Sequence, residues 1–131
     1  MNFLQLALVT LSCSAATINF GADYQNTVSG PLKSGEKVTI EYDLSRAKCP
    51  HASTHGADTW GVYAYVAFNQ KFENTQSFAI ARTPFPGSPQ VVSKPIVELQ
   101  KGDMAVWIMC SSMAGTTYDS NFGKNFHFSV L

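Results

Sequence analysis

Apolar and polar residues alternate along several short segments of the chain, and a period of two residues is typical of half-buried β-strands. The segment 38–42, for example, reads Val-Thr-Ile-Glu-Tyr. No segment shows a convincing helical period. The pattern predicts strands at Thr17–Phe20, Lys37–Tyr42, Trp60–Asn69, Gln76–Ala81, Val91–Leu99 with a break at Pro95, Asp103–Cys110 and Asn125–Val130.

Turn-forming residues separate the predicted strands. They include Ser-Gly-Pro at 29–31, Ser-Gly at 34–35, Pro-Phe-Pro-Gly at 84–87 and Lys-Gly-Asp at 101–103. About seven or eight short strands in a chain of this length predict an all-β fold, an antiparallel β-sandwich that is immunoglobulin-like in outline. A small β-barrel is the main alternative.

The longest predicted strand has two different faces. One face carries Trp60, Val62, Ala64, Val66 and Phe68 and is predicted to belong to the core. The other carries Tyr63 and Tyr65, whose rings are expected to lie side by side, where they either cover the second face or stack on a sugar or on a partner's apolar patch. The later strand at 104–110 is apolar on both faces, which predicts a central strand with Trp107 in the core.

The first sixteen residues are uncharged and contain an apolar run at 3–11 followed by small residues. This arrangement is typical of a secretory signal peptide that is cleaved after Ala15 or Ala16, with acylation of Cys13 as the alternative. The run has about half of the ~20 residues that a membrane-spanning helix needs. We therefore predict a signal peptide at 1–16, a single domain at 17–131 and a secreted, extracellular protein without a membrane span.

Charge and cysteine content narrow the function classes further. Nine basic and nine acidic residues give a net charge of zero, which argues against capture of nucleic acid by its phosphates. Removal of the signal peptide takes Cys13 with it and leaves Cys49 and Cys110. A pair of cysteines in an oxidising compartment predicts a disulfide between them.

Two long connections, 44–59 and 111–124, contain most of the polar side chains of interest. Long loops in compact domains are often functional. Cys49 lies in the first connection and Cys110 ends the strand before the second, so the predicted disulfide brings both to one end of the sandwich. We expect a ligand to bind there.

Metal binding and catalysis are weakly indicated. His51, His55 and Asp58 are candidate ligands for Zn²⁺ or Cu²⁺, although two solvent-exposed histidines explain the spacing better. The Asp-x-Asn-x-Gly-x-Asn pattern that begins at Asp119 offers oxygens to Ca²⁺ or forms a tight turn with Gly123 at positive φ. No nucleophile elbow, His-Glu-x-x-His motif or phosphate loop occurs. We predict no cofactor and no enzymatic activity.

The segment 118–126, Tyr-Asp-Ser-Asn-Phe-Gly-Lys-Asn-Phe, resembles the closing motif of starch-binding β-sandwich modules. In that motif an aromatic residue, Asp-Asn-Asn, a Gly and Asn followed by an aromatic lead into the last strand. Tyr118 stands where such modules usually have Trp, Asp119 and Asn121 match, and Ser120 departs from the first Asn. The resemblance implies that Tyr118 stacks on a sugar ring while Asp119, Asn121 and Lys124 bond its hydroxyls.

The chain also resembles small secreted bacterial and fungal proteins of unknown function. They share a Tyr-Asp-x-x-Arg segment, here at 42–46, then a Trp-led strand and an ending close to Tyr-Asp-Ser-Asn-Phe-Gly. This likeness covers nearly the whole mature chain and implies no activity.

These observations predict a secreted, non-catalytic binding module that binds polysaccharide through the loop end 44–59/111–124. The alternative is an interaction or effector protein with an extracellular protein partner, and the third reading is a metal-binding protein or metal-dependent enzyme. Sugar binding predicts an exposed Tyr118, or exposed and coplanar Tyr63 and Tyr65. A protein partner predicts a broad apolar patch with aromatic and Arg anchors.

Overall fold

The computed structural model describes residues 15–50, 52–54, 57–83 and 91–131. The described residues form short strands and two single-turn 3-10 helices, at Leu44–Arg46 and Phe72–Asn74. None of their helices has the length and hydropathy needed to cross a membrane. The strands are β1 (Ala16–Phe20), β2 (Asn26–Ser29), β3 (Lys37–Tyr42), β4 (Ala52–Thr54), β5 (Ala57–Thr59), β6 (Gly61–Phe68), β7 (Gln76–Arg82), β8 (Val91–Val92), β9 (Ile96–Glu98), β10 (Gly102–Ser112), β11 (Gly115–Asp119) and β12 (Phe126–Val130).

Two sheets pack face to face as a β-sandwich, which confirms the predicted all-β class. The smaller sheet has the order β2-β1-β3-β9. The larger has the order β11-β10-β6-β7-β8, with β12 also paired to β10, and β4 and β5 form a separate hairpin. All pairings are antiparallel except β1 with β3, which run parallel.

The core between the sheets follows from the alternation in the strands. In β3, Val38 and Ile40 are fully buried, whereas Thr39 and Glu41 point away from the core. In β10 the inward positions are Met104, Val106, Ile108 and Cys110, each at most 3% exposed. Burial of one face per strand removes apolar area from water and fixes the register, because a slip of one residue would turn that face outward.

One edge of β10 is shared by two strands that lie end to end. β11 pairs with residues 108–112 of β10 and β12 pairs with residues 102–106, while β6 occupies the opposite edge. Residues 120–125 therefore leave the sheet as a protruding loop between two collinear strands, at the level of Trp107. We call Ser120–Asn125 the edge loop.

Each of the seven predicted segments contains a strand, and β3 has the predicted bounds. The described residues nevertheless contain twelve strands, not seven or eight. β2, β4, β5 and β11 were missed, and three of them lie within the connections 44–59 and 111–124 that the sequence analysis treated as loops. β2 and β11 are mostly exposed edge strands, so no buried face imposes an alternation on their sequences.

The two long connections meet at one end of the sandwich, as predicted. Cys49 and Cys110 form a disulfide with their Cα atoms 5.2 Å apart. The Thr117 hydroxyl in β11 donates a hydrogen bond to the carbonyl oxygen of Lys48, at 2.9 Å. These contacts fasten the first connection to the hairpin formed by β10 and β11.

Candidate functional site

The Tyr-Asp-x-x-Arg segment turns the chain out of β3 and into the interior. Asp43 is the N-cap of the 3-10 helix at Leu44–Arg46, and its Oδ1 accepts hydrogen bonds from the amide (2.9 Å) and hydroxyl (2.7 Å) of Ser45. These bonds stabilise the carboxylate and lower the pKa of Asp43 below its ordinary value. The capped turn directs Arg46 towards the end of the core, where the residue is only 2% exposed.

Arg46 lies in a cage of aromatic rings. Cations over ring faces are attracted by the negative charge of the π-system, and more strongly where water is excluded. Nη1 also donates a 2.7 Å hydrogen bond to Oδ1 of Asn26. The distances from the guanidinium carbon to the four ring centroids are 4.9 Å for Tyr24, 5.4 Å for Phe20, 5.6 Å for Tyr42 and 5.6 Å for Phe126.

Asp119 supplies the counter-charge to this buried cation. Its Oδ2 accepts hydrogen bonds from Arg46 Nε at 2.9 Å and from the Tyr42 hydroxyl at 2.8 Å. Burial, together with the hydrogen bond to Asp119, raises the pKa of Tyr42 well above its ordinary value, so the phenol stays neutral. The resemblance to starch-binding modules implied that Asp119 bonds sugar hydroxyls. The carboxylate, whose side chain is 17% exposed, joins the segments 42–46 and 118–119 in one brace, and a contact of Asp119 with a sugar stays a prediction.

The edge loop begins directly after this brace and is a tight turn, one of the two readings of the Asp-x-Asn-x-Gly-x-Asn pattern. Gly123 has φ of 85°, and Asn121, Phe122 and Asn125 have φ between 53° and 60°. The Ser120 carbonyl accepts from the Asn125 amide at 2.7 Å, the Ser120 hydroxyl accepts from the Gly123 amide at 3.2 Å, and Asn121 Nδ2 donates to the Asn125 carbonyl at 3.3 Å. The Phe122 side chain is fully exposed.

The outer face of the larger sheet, which points away from the core, carries a row of aromatic side chains. Tyr118 of β11 lies across from Met109 of β10, and Met109 lies across from Tyr63 of β6. In the next row Trp107 lies across from Tyr65. Phe72, in the 3-10 helix after β6, contacts Trp107. We call Tyr63, Tyr65, Phe72, Trp107 and Tyr118 the aromatic face.

Trp107 is not a core residue, contrary to the expectation from its strand. It is partly exposed on the outer face, where its ring lies 5.8 Å from that of Tyr65 with the two planes 12° apart, and 6.0 Å from that of Phe72. The expectation failed because β10 is apolar on both sides although only one side meets the second sheet. That two-sided apolar pattern was the available signal for an aromatic outer surface.

Tyr63 and Tyr65 share the outer face, as predicted, but their rings have different neighbours. Tyr65 stacks on Trp107, and its hydroxyl lies 3.9 Å from the Met109 sulfur. The Tyr63 side chain lies against Gly61. A Cβ at that glycine would sit 2.7 Å from the Tyr63 hydroxyl oxygen and 2.8 Å from Cε2. Tyr118 is 61% exposed, so it is the most accessible ring of the aromatic face.

His127 projects from β12 on the same outer side and contacts both β10 and the edge loop. Its Nδ1 lies 3.0 Å from both carboxylate oxygens of Asp103, and its Nε2 lies 2.9 Å from the carbonyl oxygen of Lys124. The hydrogen bond to Asp103 raises the pKa of His127 above the ordinary value of 6.5. The histidine is exposed on the face of β12 opposite Phe126 and Phe128.

Within the described part of the chain, a small cavity adjoins the aromatic face. A cavity of about 40 Å³ lies between Arg46, Thr117, Tyr118 and Asp119, which is room for water and not for a sugar. A cleft of about 440 Å³ lies elsewhere, lined in part by Asn19, Glu41, Leu44, Ile80 and Lys94, and its Glu41 is ion-paired to Lys94 at 3.3 Å. Tyr118 and Phe72 of the aromatic face are 61% and 50% exposed, so a ligand could reach both rings from solvent.

The structure does not describe most of the candidate metal ligands. His51, His55 and the side chain of Asp58 lie outside the described residues. Asp119, the remaining candidate, is engaged by Arg46 and Tyr42. Within the described parts of the chain, no group of three or more His, Cys, Asp or Glu side chains has an arrangement that could hold a metal ion.

Comparison with known proteins assigns no activity. Residues 13–131 match the model of a family described as a family of unknown function (DUF6209). No curated protein and no solved structure matches the chain.

Proposed function

The chain belongs to the DUF6209 family of unknown function, and we propose that its mature form is a secreted, non-catalytic module that binds polysaccharide through the aromatic face. The observation that carries this proposal is the exposure of Tyr118. Its ring is 61% exposed on the same sheet face as the stacked pair of Tyr65 and Trp107. An exposed Tyr118 is one of the two arrangements that sugar binding predicts for this site.

The proposed contact is a stacking contact flanked by polar groups. The C–H groups of a pyranose ring pack on an aromatic face, and the Tyr118 hydroxyl can bond a sugar hydroxyl at the same time. Asn121 and Lys124, both exposed in the edge loop, supply further donors beside the sheet. Because the surface is open and its rings extend from β11 to the segment after β6, it suits several successive sugars of a chain better than a single enclosed sugar.

Pull-down on insoluble starch, cellulose, chitin and β-glucan tests this function. We expect the purified mature protein to be retained by one of these polymers and Tyr118→Ala to weaken the retention at least tenfold, which corresponds to about 1.4 kcal/mol. Tyr118→Phe keeps the ring and should retain most of the affinity. Ile96→Ala is the matched control, because Ile96 is 60% exposed on the smaller sheet, away from the aromatic face.

Two outcomes would contradict the proposal. The first is the absence of retention on all four polymers by a protein that circular dichroism shows to be folded. The second is equal retention of wild type and Tyr118→Ala. A parallel assay with EDTA should leave retention unchanged, because the proposed contacts use rings, amides and hydroxyls only. Loss with EDTA would instead point to a metal bound by residues such as His51 and His55.

Secretion is part of this proposal and rests on the uncharged, apolar segment before residue 16. β1 begins at Ala16, which is 3% exposed and pairs with Val38. Cleavage after Ala15 preserves this pairing, whereas cleavage after Ala16 removes a core residue. We therefore place the mature N-terminus at Ala16.

A protein partner is the second candidate, and Phe122 favours it. A fully exposed phenylalanine at the tip of a loop held by internal hydrogen bonds resembles a preorganised anchor for an apolar pocket. A photoreactive amino acid at position 122 would cross-link such a partner in extracellular fluid. The identified partner must then bind the purified protein, and Phe122→Asp must weaken that binding at least tenfold, or this candidate is refuted.

A further inference from the structure

The contacts of His127 require a particular protonation state. Asp103 lies at Nδ1 and the Lys124 carbonyl lies at Nε2, and both partners are hydrogen-bond acceptors. A neutral imidazole has one N–H and can donate to only one of them. The imidazolium ion has two N–H groups and satisfies both.

The second of these acceptors belongs to the edge loop. The loop starts at the brace formed by Asp119 and Arg46, an ion pair in which His127 takes no part. Near its other end, the Lys124 amide donates to the Asn121 carbonyl at 3.2 Å, and the Lys124 carbonyl accepts from His127 at 2.9 Å. The imidazolium therefore ties this end of the loop to Asp103 of β10.

We propose that protonation of His127 regulates the binding surface, so that polysaccharide binding tightens as the pH falls. This inference rests on the proposed function, because it concerns the same surface. The protonated ring holds the edge loop beside Trp107 and Tyr118 and places Asn121 and Lys124 for contact with a sugar. The neutral ring releases the loop.

Loss of the proton has a defined consequence. A carboxylate is a stronger acceptor than a peptide carbonyl, so the remaining N–H stays on Asp103. The Nε2 lone pair then faces the Lys124 carbonyl oxygen, which repels it, and the loop loses one of its ties. Its non-glycine residues at positive φ, Asn121, Phe122 and Asn125, are strained, and this strain favours rearrangement of the loop once a tie is lost.

Few charged groups act on His127. Among the described residues, Asp103 of β10 is the charged partner in contact with the ring, and Lys124 contributes its main-chain oxygen. On the sheet, His127 lies across from Ala105, and its own strand places Ser129 on the same face. Asp103 raises the pKa of His127, whereas partial burial opposes the rise. The pKa of His127 therefore depends mainly on the Asp103 carboxylate.

Binding isotherms on the polymer that retains the wild type, measured at pH 5.5 and at pH 8.5, test the inference. We expect the wild-type Kd to rise about three- to tenfold at the higher pH, the range that loss of one hydrogen bond allows. His127→Gln should bind with the same Kd at both pH values. Asp103→Asn should move the midpoint of the transition to lower pH. The side chains of His127 and Asp103 are 47% and 40% exposed, so both variants should fold.

A second measurement does not depend on any ligand. In a pH titration of the wild type followed by ¹⁵N NMR, the amide chemical shifts of Gly123, Lys124 and Asn125 should change with the same midpoint as the protonation of the His127 ring. These changes should vanish in His127→Gln. Amide chemical shifts that do not follow the titration of His127 would overturn the inference. Binding that does not change with pH would also overturn it and leave the proposed function standing. Absence of binding at both pH values would overturn the proposed function and the inference together, whatever the amide shifts show.

Discussion

Replacing Asp119 with alanine is the sharpest test of the buried brace. The substitution leaves the Arg46 guanidinium at 2% exposure without its carboxylate, and it removes the acceptor of the Tyr42 hydroxyl. Removal of one partner from a buried ion pair costs about 3–5 kcal/mol. The whole free energy of unfolding of a domain is about 5–15 kcal/mol, so Asp119→Ala should lose a large part of its stability.

Urea unfolding followed by tryptophan fluorescence measures this loss. Two variants calibrate it. Tyr42→Phe removes only the hydroxyl and should cost about 1 kcal/mol. Glu41→Ala breaks the exposed pair with Lys94, which spans 3.3 Å, and its cost should be lower than about 0.5 kcal/mol. The expected order of destabilisation is therefore Asp119→Ala, then Tyr42→Phe, then Glu41→Ala.

A loss of less than about 1 kcal/mol for Asp119→Ala, with an unchanged denaturant slope, would refute the buried ion pair. The double variant Arg46→Met, Asp119→Leu adds a control, because it removes both charges and fills the space with apolar groups. Such replacements are often neutral, so the double variant should regain much of the stability that Asp119→Ala loses. A double variant less stable than Asp119→Ala would show that the aromatic cage depends on the cation itself.

Three further predictions concern the whole fold. His127 binds its proton more tightly in the folded state than in the unfolded state. Its contribution to the free energy of unfolding should therefore be complete below pH 6.5 and be lost as the pH rises through its raised pKa. Urea titrations at several pH values should show this loss in the wild type and not in His127→Gln. Reduction of the bond between Cys49 and Cys110, which are 61 residues apart, should cost about 4 kcal/mol, and unfolding curves with and without reductant measure it. The intact mass of the mature protein should correspond to the proposed chain that begins at Ala16; a mass that corresponds to a start at Thr17 would contradict the place of Ala16 in β1.

The fold could be predicted where burial constrains the sequence. Residues 37–42 form a strand with the predicted bounds because Val38 and Ile40 must both reach the core. β11 could not be found in this way. Only Thr117 and Asp119 of that strand are partly buried, and both make polar contacts, so its inward face shows no apolar alternation.

The candidate site was only partly predictable, because its contacts join distant parts of the chain. Arg46 and Asp119 are separated by 73 residues, and a single ion pair leaves no periodic pattern in a sequence. Tyr118 was singled out through its motif; it is exposed, and its role in ligand binding stays a prediction. Trp107 was misplaced because a strand that is apolar on both faces was equated with burial on both faces.

Two adjacent residues of β11 have different surroundings. Successive side chains of a strand point to opposite faces, so Asp119 enters the interior while Tyr118 faces solvent. Asp119 compensates a buried charge, and this accounts for its chemistry without any ligand. The Tyr118 ring contributes little to the free energy of folding, because it remains in contact with water. Folding therefore explains the acid of the Tyr-Asp pair, whereas the exposed aromatic residue stays available for the proposed contact with a sugar.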